Sequence, residues 1–368
     1  MDTQFFDALV IGAGIAGATA GAHLCPTHRV ALLEAEESAG YHTTGRSAAI
    51  WILSYGSEDA RILTAASRRF LESPPPGFTE VPLAHPRPVL NLAKQEDLAD
   101  LRDTLQHGRI PLSLDEAKAL VPALKIDSVA GAAIEHDAFD IDIAALHQGY
   151  LRQIRAQGGV LALRHRVGRI WRENGAWHAE GTGGQIYAAP VLVNAAGAWG
   201  DTVAGIAGVR PLGLQPKRRT ALIIDPGEYD TADWPMVVDV NHSWYVRPEA
   251  RRKLMVSPAD ETDSEPMDAQ PDELDVAIAI DRMQQCLDIP VTRVEHRWAG
   301  LRTFTPDRGL AIGASEEAGF HWFCGQGGYG IQTAPAAGRL LAQLIRGETP
   351  DADLLPAIAP TNPLRFSK

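Results

Sequence analysis

Hydrophobic positions first gather in a mostly apolar run from Phe6 to Ile11. The chain then enters Gly12-Ala13-Gly14-Ile15-Ala16-Gly17, continues as an alanine-rich stretch, and makes a second apolar run, Val30 to Leu33, that ends on Glu34. Short apolar runs bounded by turn residues read as buried strands, and the alanine-rich stretch between them reads as a helix. The predicted order is strand, glycine turn, helix, strand, acid. Each part has a physical use: Gly12 permits a tight turn, Gly14 lets a backbone approach a pyrophosphate, and Gly17 brings helix against strand. The first-turn N–H groups of the helix face the anion. Glu34, twenty residues beyond Gly14, is placed to accept from a ribose 2′-hydroxyl, with Ile15, Ala16 and Ala35 beside it. A glycine triplet alone is a weak signal; in register with strand, helix and acid it predicts dinucleotide binding.

Further on, Gly40 to Ser47 is a polar loop, and Ser47-Ala48-Ala49 predicts the opening of a short helix. Ser73 to Gly77 is rich in proline and breaks the chain. Leu98 to Val121 reads as a helix polar on one face, and Asp142 to Gln157 carries Ile143, Leu146, Tyr150, Leu151 and Ile154 at helical spacing. Val160 to Leu163, Val167 to Trp171, Ala176 to Glu180 and Gln185 to Ala188 alternate like a β-meander. Pro190 to Ala196 reads as a buried parallel strand. From Leu212 to Phe304 strands and loops alternate, with an acidic loop from Asp260 to Glu273 and a helix from Leu274 to Leu287. A strand pair around Leu310 to Ile312 and Trp322 to Cys324 precedes a second glycine-rich turn and a helix to Ile345. The pattern predicts a two-domain α/β chain. Residues 1–50, 145–211 and 305–368 would form a discontinuous, Rossmann-like nucleotide domain. Residues 51–144 and 212–304 would form an inserted substrate domain on a mixed, mainly antiparallel sheet.

Composition narrows the partners. A net charge of −12 over 368 residues disfavours nucleic acid and anionic membrane surfaces, which need basic patches to replace counterions. Cys25, Cys286 and Cys324 are far apart and lack paired spacing, so neither a disulfide framework nor a zinc site is expected. His42, His136, His147 and His296 show no ligand spacing, and no metal is expected. No apolar stretch reaches spanning length. The expectation is a cytoplasmic protein, monomer or weak dimer, with peripheral docking at the inner face of a membrane compatible with it.

Two further segments separate FAD from NAD. Leu192 to Trp199 puts a small-residue turn, with Ala196 and Gly197, at the carboxyl end of a predicted strand, where open α/β sheets bind ligands. Gln326 to Gly330 precedes a helix whose positive end could face a ring that gains negative charge on reduction. A flavin is such a ring.

On these motifs the chain resembles the D-amino-acid oxidase and glycine oxidase family of FAD-dependent oxidoreductases, most closely its D-arginine dehydrogenase branch. The likeness rests on GAGIAG (Gly12 to Gly17), GYHTTGRSAA (Gly40 to Ala49), LHQGYLR (Leu146 to Arg152), LVNAAGAWGD (Leu192 to Asp201), GVRPLGLQPKRR (Gly208 to Arg219), WAGLRTF (Trp298 to Phe304) and QGGYGIQT (Gln326 to Thr333). It implies non-covalent FAD, with Thr43, Thr44, Gly45, Arg46, Ser47 and Ala48 around the pyrophosphate and flavin and Val167 at the adenine. Trp199, Gly327, Gly328, Tyr329, Gly330, Ile331, Gln332 and Thr333 would complete the flavin site. It further implies that Arg219 and Arg302 bind a substrate carboxylate, that Tyr55 and Tyr245 add hydroxyls, and that the Gly328 carbonyl receives the amine. Arginine suits the carboxylate because it pairs in a bidentate fashion, and a held reactant aims its Cα–H at flavin N5.

The departures from that branch carry as much information. Ile50 stands where the D-arginine enzyme has a histidine, Ile52 where it has a threonine, and Val89 where it has the acid that meets a guanidinium side chain. A buried cation without an acid is heavily penalised. Ile50, Ile52, Val89, Met236 and Val238 would form an apolar wall instead, unless another acid such as Asp239 takes over. The implied reaction is oxidative deamination of neutral, apolar D-α-amino acids by hydride transfer, giving an imino acid and then a 2-oxo acid and ammonia. A dehydrogenase passing electrons to a quinone or an electron-transfer protein is favoured over an oxidase using oxygen. The alternatives are oxidation of N-alkyl amino acids or α-hydroxy acids, and a flavin-binding protein without turnover.

Overall fold

The glycine turn joins two fully buried strands through a helix. In the computed structural model, which describes residues 3–105 and 108–367, Ala8–Ile11 lies parallel to Val30–Leu33, with the helix Ile15–Leu24 between them. Val191–Asn194 pairs in parallel with the other side of Ala8–Ile11, Phe320–Cys324 pairs in parallel beyond it, and Ala311–Ala314 closes that edge antiparallel. Val160–Ala162 closes the opposite edge. One six-stranded sheet is thus assembled from distant parts of the chain. The helix Gly330–Ile345 lies against Ile15–Leu24 so closely that a Cβ on Gly338 would stand 2.4 Å from Thr19 Oγ1.

Three expectations are corrected. Val160–Ala162 does not belong to the meander; it ends the crossover through the helix Ile143–Ala156 and pairs in parallel with Val30–Leu33. The meander is Val167–Glu173, Ala176–Gly181 and Ile186–Ala189, edged by Gln4–Phe5. Ser47 to Ala49 does not open a helix: a 3-10 turn, Thr43–Arg46, comes before it. The Ser47 hydroxyl accepts from Ala49 N–H at 3.2 Å, and Ala49 turns to φ 45° before the strand Ile50–Ile52. Leu98 to Val121 is two helices, Leu98–Leu105 and Leu114–Leu120, around the strand Ile110–Leu112. Gly108 at φ 87° and Pro111 end the first helix, and a Ser113–Glu116 capping box starts the second. Residues 106 and 107 of that stretch lie outside the described residues.

A second, larger sheet has nine strands and is mainly antiparallel. Its main run begins with Val294–Phe304 beside Gln215–Ile224, then Lys253–Ser257, Tyr245–Glu249, Met236–Asp239, Val89–Ala93, Gly131–Glu135 and Ile110–Leu112; Thr262–Asp263 also pairs with Gln215–Ile224. Only Met236–Asp239 with Val89–Ala93 is parallel. Side chains alternate between faces. Leu90, Leu92, Val237, Val246, Leu254, Val256, Leu222 and Ile224 pack on the helix Glu273–Cys286 through Val276, Ala279 and Met283. The registers put Glu135, Val89, Met236, Val238, Tyr245, Ser257, Arg219, Gly300 and Arg302 on the opposite face. That face looks toward the glycine turns. Among the described residues no helix is long and apolar enough to cross a membrane.

Candidate functional site

A cleft of about 380 Å³, partly open to solvent, runs between the carboxyl ends of the six-stranded sheet and the polar face of the larger one. At one end stands Glu34, buried, whose Oε2 accepts from Ala13 N–H at 2.8 Å and Oε1 from Glu36 N–H at 2.9 Å. Each oxygen keeps a lone pair for a further donor. Gly12 has φ 96°, and a Cβ there would lie 2.6 Å from the Ala195 carbonyl oxygen; on Gly17 it would lie 1.8 Å from the Gly12 oxygen. Thr44 Oγ1 accepts from Ile15 N–H at 2.9 Å, and the other first-turn donors have no acceptor within the helix. His147, under the turn, hydrogen-bonds the Ala13 carbonyl through Nε2 at 2.9 Å; burial holds its pKa below the usual histidine value, so the neutral ring donates.

The turn Thr43–Arg46 is fastened to the larger sheet. Thr43 Oγ1 donates to the Leu301 carbonyl at 2.7 Å and Trp298 Nε1 to the Arg46 carbonyl at 3.1 Å. Arg46 donates to Ala299 O at 2.9 Å, Ala269 O at 3.2 Å and Asp268 at 2.5 Å. Its guanidinium is therefore spent on the rim of the cleft.

At the far end, Arg302 Nη1 donates to Tyr55 Oη at 3.0 Å, and a Cβ on Gly328 would lie 2.8 Å from the same nitrogen. Arg219, only 11% exposed in its side chain, projects from the neighbouring strand. Burial and Arg302 pull the Arg219 pKa below its ordinary value. Burial also works against the Arg302 charge, but Tyr55 and Tyr245 outweigh it and raise that pKa. Burial would raise the Tyr55 pKa; Arg302 and Arg219 bring it below the ordinary phenol value. Two buried guanidinia flanked by phenols make a pocket suited to an anion. The Gly328 carbonyl accepts no hydrogen bond among the described residues.

Most of the residues singled out from sequence line this cleft: Gly12, Gly14, Ile15, Ala16, Glu34, Ala35, Thr43, Thr44, Arg46, Ser47, Ala48, Val167, Ala196, Gly197, Trp199, Arg219, Tyr245, Arg302, Gly327, Gly328, Gly330 and Ile331. Gly17 and Gly45 lie behind it. Tyr329 packs its ring 5.2 Å from that of Tyr55. The Gln332 side chain accepts from Ile52 N–H and donates to Thr64 Oγ1, and Thr333 Oγ1 donates to the Tyr329 carbonyl. Ile50, Ile52, Val89, Met236 and Val238 gather in one apolar cluster with Tyr55 and Tyr245, beside the cleft. Asp239 is consumed by its own turn, accepting from Ser243 N–H, Ser243 Oγ and Trp244 N–H at 2.6, 2.8 and 2.9 Å. The acid nearest Val89 across the ladder is Glu135, which accepts from Ser54 Oγ at 2.7 Å and faces Arg109 at 3.4 Å. Trp51 is fully buried, stacked 4.9 Å from Phe139. Cys324 is buried, its Sγ donating to the Asn194 carbonyl at 3.2 Å, and burial pushes its thiol up to about 12.

Sequence reasoning missed several neighbours. His242, in a left-handed turn at φ 54°, places its ring 5.9 Å from that of Tyr55. Thr303 lines the cleft with a buried hydroxyl that has no partner among the described residues, and Glu261 reaches Arg219. Only the Thr303 side chain had a signal, its place in WAGLRTF beside Arg302.

The sequence matches the family described as FAD dependent oxidoreductase (DAO) over residues 7–344, and the chain belongs to that family. It is an enzyme of the FAD-dependent oxidoreductases, and its cofactor is FAD. A 172-residue segment is 27% identical to FAD-dependent oxidoreductase domain-containing protein 1 of Xenopus laevis, covering 42% of this chain and 34% of that protein's length. The fold is shared with L-proline dehydrogenase from P. horikoshii (TM-score 0.81, 21% identity, 100% of this chain and 99% of that one). It is shared as well with glycine oxidase from Geobacillus kaustophilus (TM-score 0.83, 21% identity, 96% and 98%). The residues present fit the cofactor: the bare glycine turn and the unspent lone pairs of Glu34 stand in the cleft that would hold it.

Proposed function

We propose that the protein oxidises the amine-bearing carbon of D-α-amino acids with neutral, apolar side chains, giving an imino acid that hydrolyses to a 2-oxo acid and ammonia. The observation that carries this reading is the buried Arg219–Arg302 pair with Tyr55 and Tyr245, set beside an apolar cluster. Arg302 and Arg219 hold the carboxylate, and because Arg302 already donates to Tyr55 Oη, the phenol proton is free to donate to it as well. The Gly328 carbonyl accepts an amine N–H, which orients the lone pair. Val89 and Met236 belong to the apolar cluster beside the clamp, and Glu135, across the ladder from Val89, is already matched by Arg109, so among the described residues a cationic side chain would find no unspent acid. Bound FAD supplies the hydride acceptor. The D configuration rests on the sequence likeness, as does the preference for a dehydrogenase over an oxidase.

A second reading, a secondary amine such as an N-alkyl amino acid, is favoured by the single carbonyl at Gly328, which asks for only one N–H. The test is anaerobic mixing of the yellow protein with D- and L-amino acids, N-methyl amino acids and α-hydroxy acids, following loss of the visible flavin absorbance. Bleaching by D-leucine, D-methionine or D-phenylalanine is expected. Bleaching by D-arginine alone would overturn the apolar-wall argument, bleaching by N-methyl compounds alone would move the protein to the second reading, and no bleaching at all would leave a flavin-binding protein without turnover.

A further inference from the structure

The anion pocket already has an internal carboxylate at its edge. Glu261 Oε1 accepts from Arg219 Nη2 at 3.4 Å, and the same carboxylate takes Arg308 Nη2 at 3.1 and 3.0 Å. Its charge also bears on Tyr55, Arg302 and Tyr329. The backbone beneath it is fixed. Asp260 accepts from Thr220 N–H at 2.6 Å and from Thr220 Oγ1 at 3.1 Å, and its carbonyl takes Arg219 Nε at 2.8 Å. Ala259, at φ 52°, donates its N–H to Ser257 Oγ at 3.1 Å. Above that backbone the Glu261 side chain is 34% exposed.

It has two posts of unequal strength. The contact with Arg219 is long, so weak as a hydrogen bond, whereas Arg308 meets both oxygens and is itself held 3.9 Å over the Phe304 ring. A second carboxylate arriving at Arg219 would face Glu261 as a like charge, and Arg308 offers a place to yield to.

We propose that Glu261 is a built-in competitor for the substrate carboxylate, bridging Arg219 and Arg308 before a substrate binds and withdrawing onto Arg308 alone when a small carboxylate arrives, so that it sets the affinity of the site. The inference rests on Arg219 and Arg302 being the carboxylate clamp. It makes Glu261 a residue that weakens binding, the reverse of what a structural ion pair or an amine-binding acid would do.

The test is equilibrium titration of the FAD-loaded protein with propionate, read from the perturbation of the flavin absorbance. Glu261→Gln should tighten propionate about three- to tenfold, and Arg308→Gln should weaken it, because Glu261 then has only Arg219 to rest on. In the Glu261→Gln background the Arg308 change should have no further effect. Unchanged or weaker binding in Glu261→Gln overturns the proposal, as does the same sign of effect from both single variants. Arg219→Gln separates the two levels of argument: it should abolish propionate binding, and if it does not, the clamp itself is wrong and the proposal falls with it.

Discussion

Gly328 lacks a side chain at the point where Arg302 and Tyr55 meet. A Cβ would come within 2.8 Å of Arg302 Nη1 and 3.1 Å of Tyr55 Oη, and because both are ends of long side chains, they would shift and the fold would survive. Gly328→Ala is therefore expected to raise KM for an amino-acid substrate about tenfold, equivalent to about 1.4 kcal/mol, while the purified variant keeps its yellow colour. Steady-state kinetics beside the flavin content of the same sample would check both halves. Gly17 is a different case: there the extra carbon meets the Gly12 carbonyl at 1.8 Å, and backbone cannot swing aside.

Among the elements, the turn Thr43–Arg46 matters out of proportion to its length, since it is the point at which the acidic loop and the strand Val294–Phe304 close over the cofactor side of the cleft. Arg46 and Asp268 form that clasp, but Asp268 is 44% exposed in its side chain, so the pair contributes about 1 kcal/mol at most and is screened by salt. Asp268→Asn should speed FAD release by about two- to fivefold at low ionic strength. The difference should vanish in high salt, and the rise of free flavin fluorescence on dilution measures both. The same scale shows what the sequence could tell. The GAGIAG turn was legible because its glycines answer to local geometry, φ 96° at Gly12 and the packing at Gly17. Leu98 to Val121 was misread because Pro111 and the Ser113 cap divide a pattern whose apolar spacing suits one helix. Val160–Ala162 is a short, continuously apolar run set next to the meander strands, and the helix before it marks it as the end of a crossover. Tyr55 and Arg302 meet across 247 positions of sequence, so family likeness, not spacing, picked them out. His242 and Glu261 sit on loops with no repeating pattern, and nothing local announced them.

For the whole molecule, acid is the expected weakness. His23, packed between the helices Ile15–Leu24 and Gly330–Ile345, has its pKa pushed down to about 4, first by burial and then by Arg339 and Arg346. Unfolded, the ring takes its proton near pH 6.5. Below that pH the unfolded chain gains a proton that the folded one refuses, so stability is full above about pH 6.5 and is lost as pH falls toward about 4. At 1.36 kcal/mol per unit the loss is about 3 kcal/mol. Burial lowers His147, His165 and His321 in the same direction. Thermal melting as a function of pH should show this slope, and His23→Gln should flatten part of it.

The order of strands in the six-stranded sheet also sets a timetable for synthesis. Ala8–Ile11 and Val30–Leu33 leave the ribosome early, yet the strand that must lie beside the first of them is Val191–Asn194, and the next is Phe320–Cys324. At about 5–20 residues per second, Ala8–Ile11 waits on the order of ten seconds or more for Val191–Asn194 and longer for the sheet to be completed. Throughout that interval the glycine turn is present as sequence but has no cleft to face. A product truncated before Phe320–Cys324 would lack that strand and the second glycine turn, and is expected to emerge colourless.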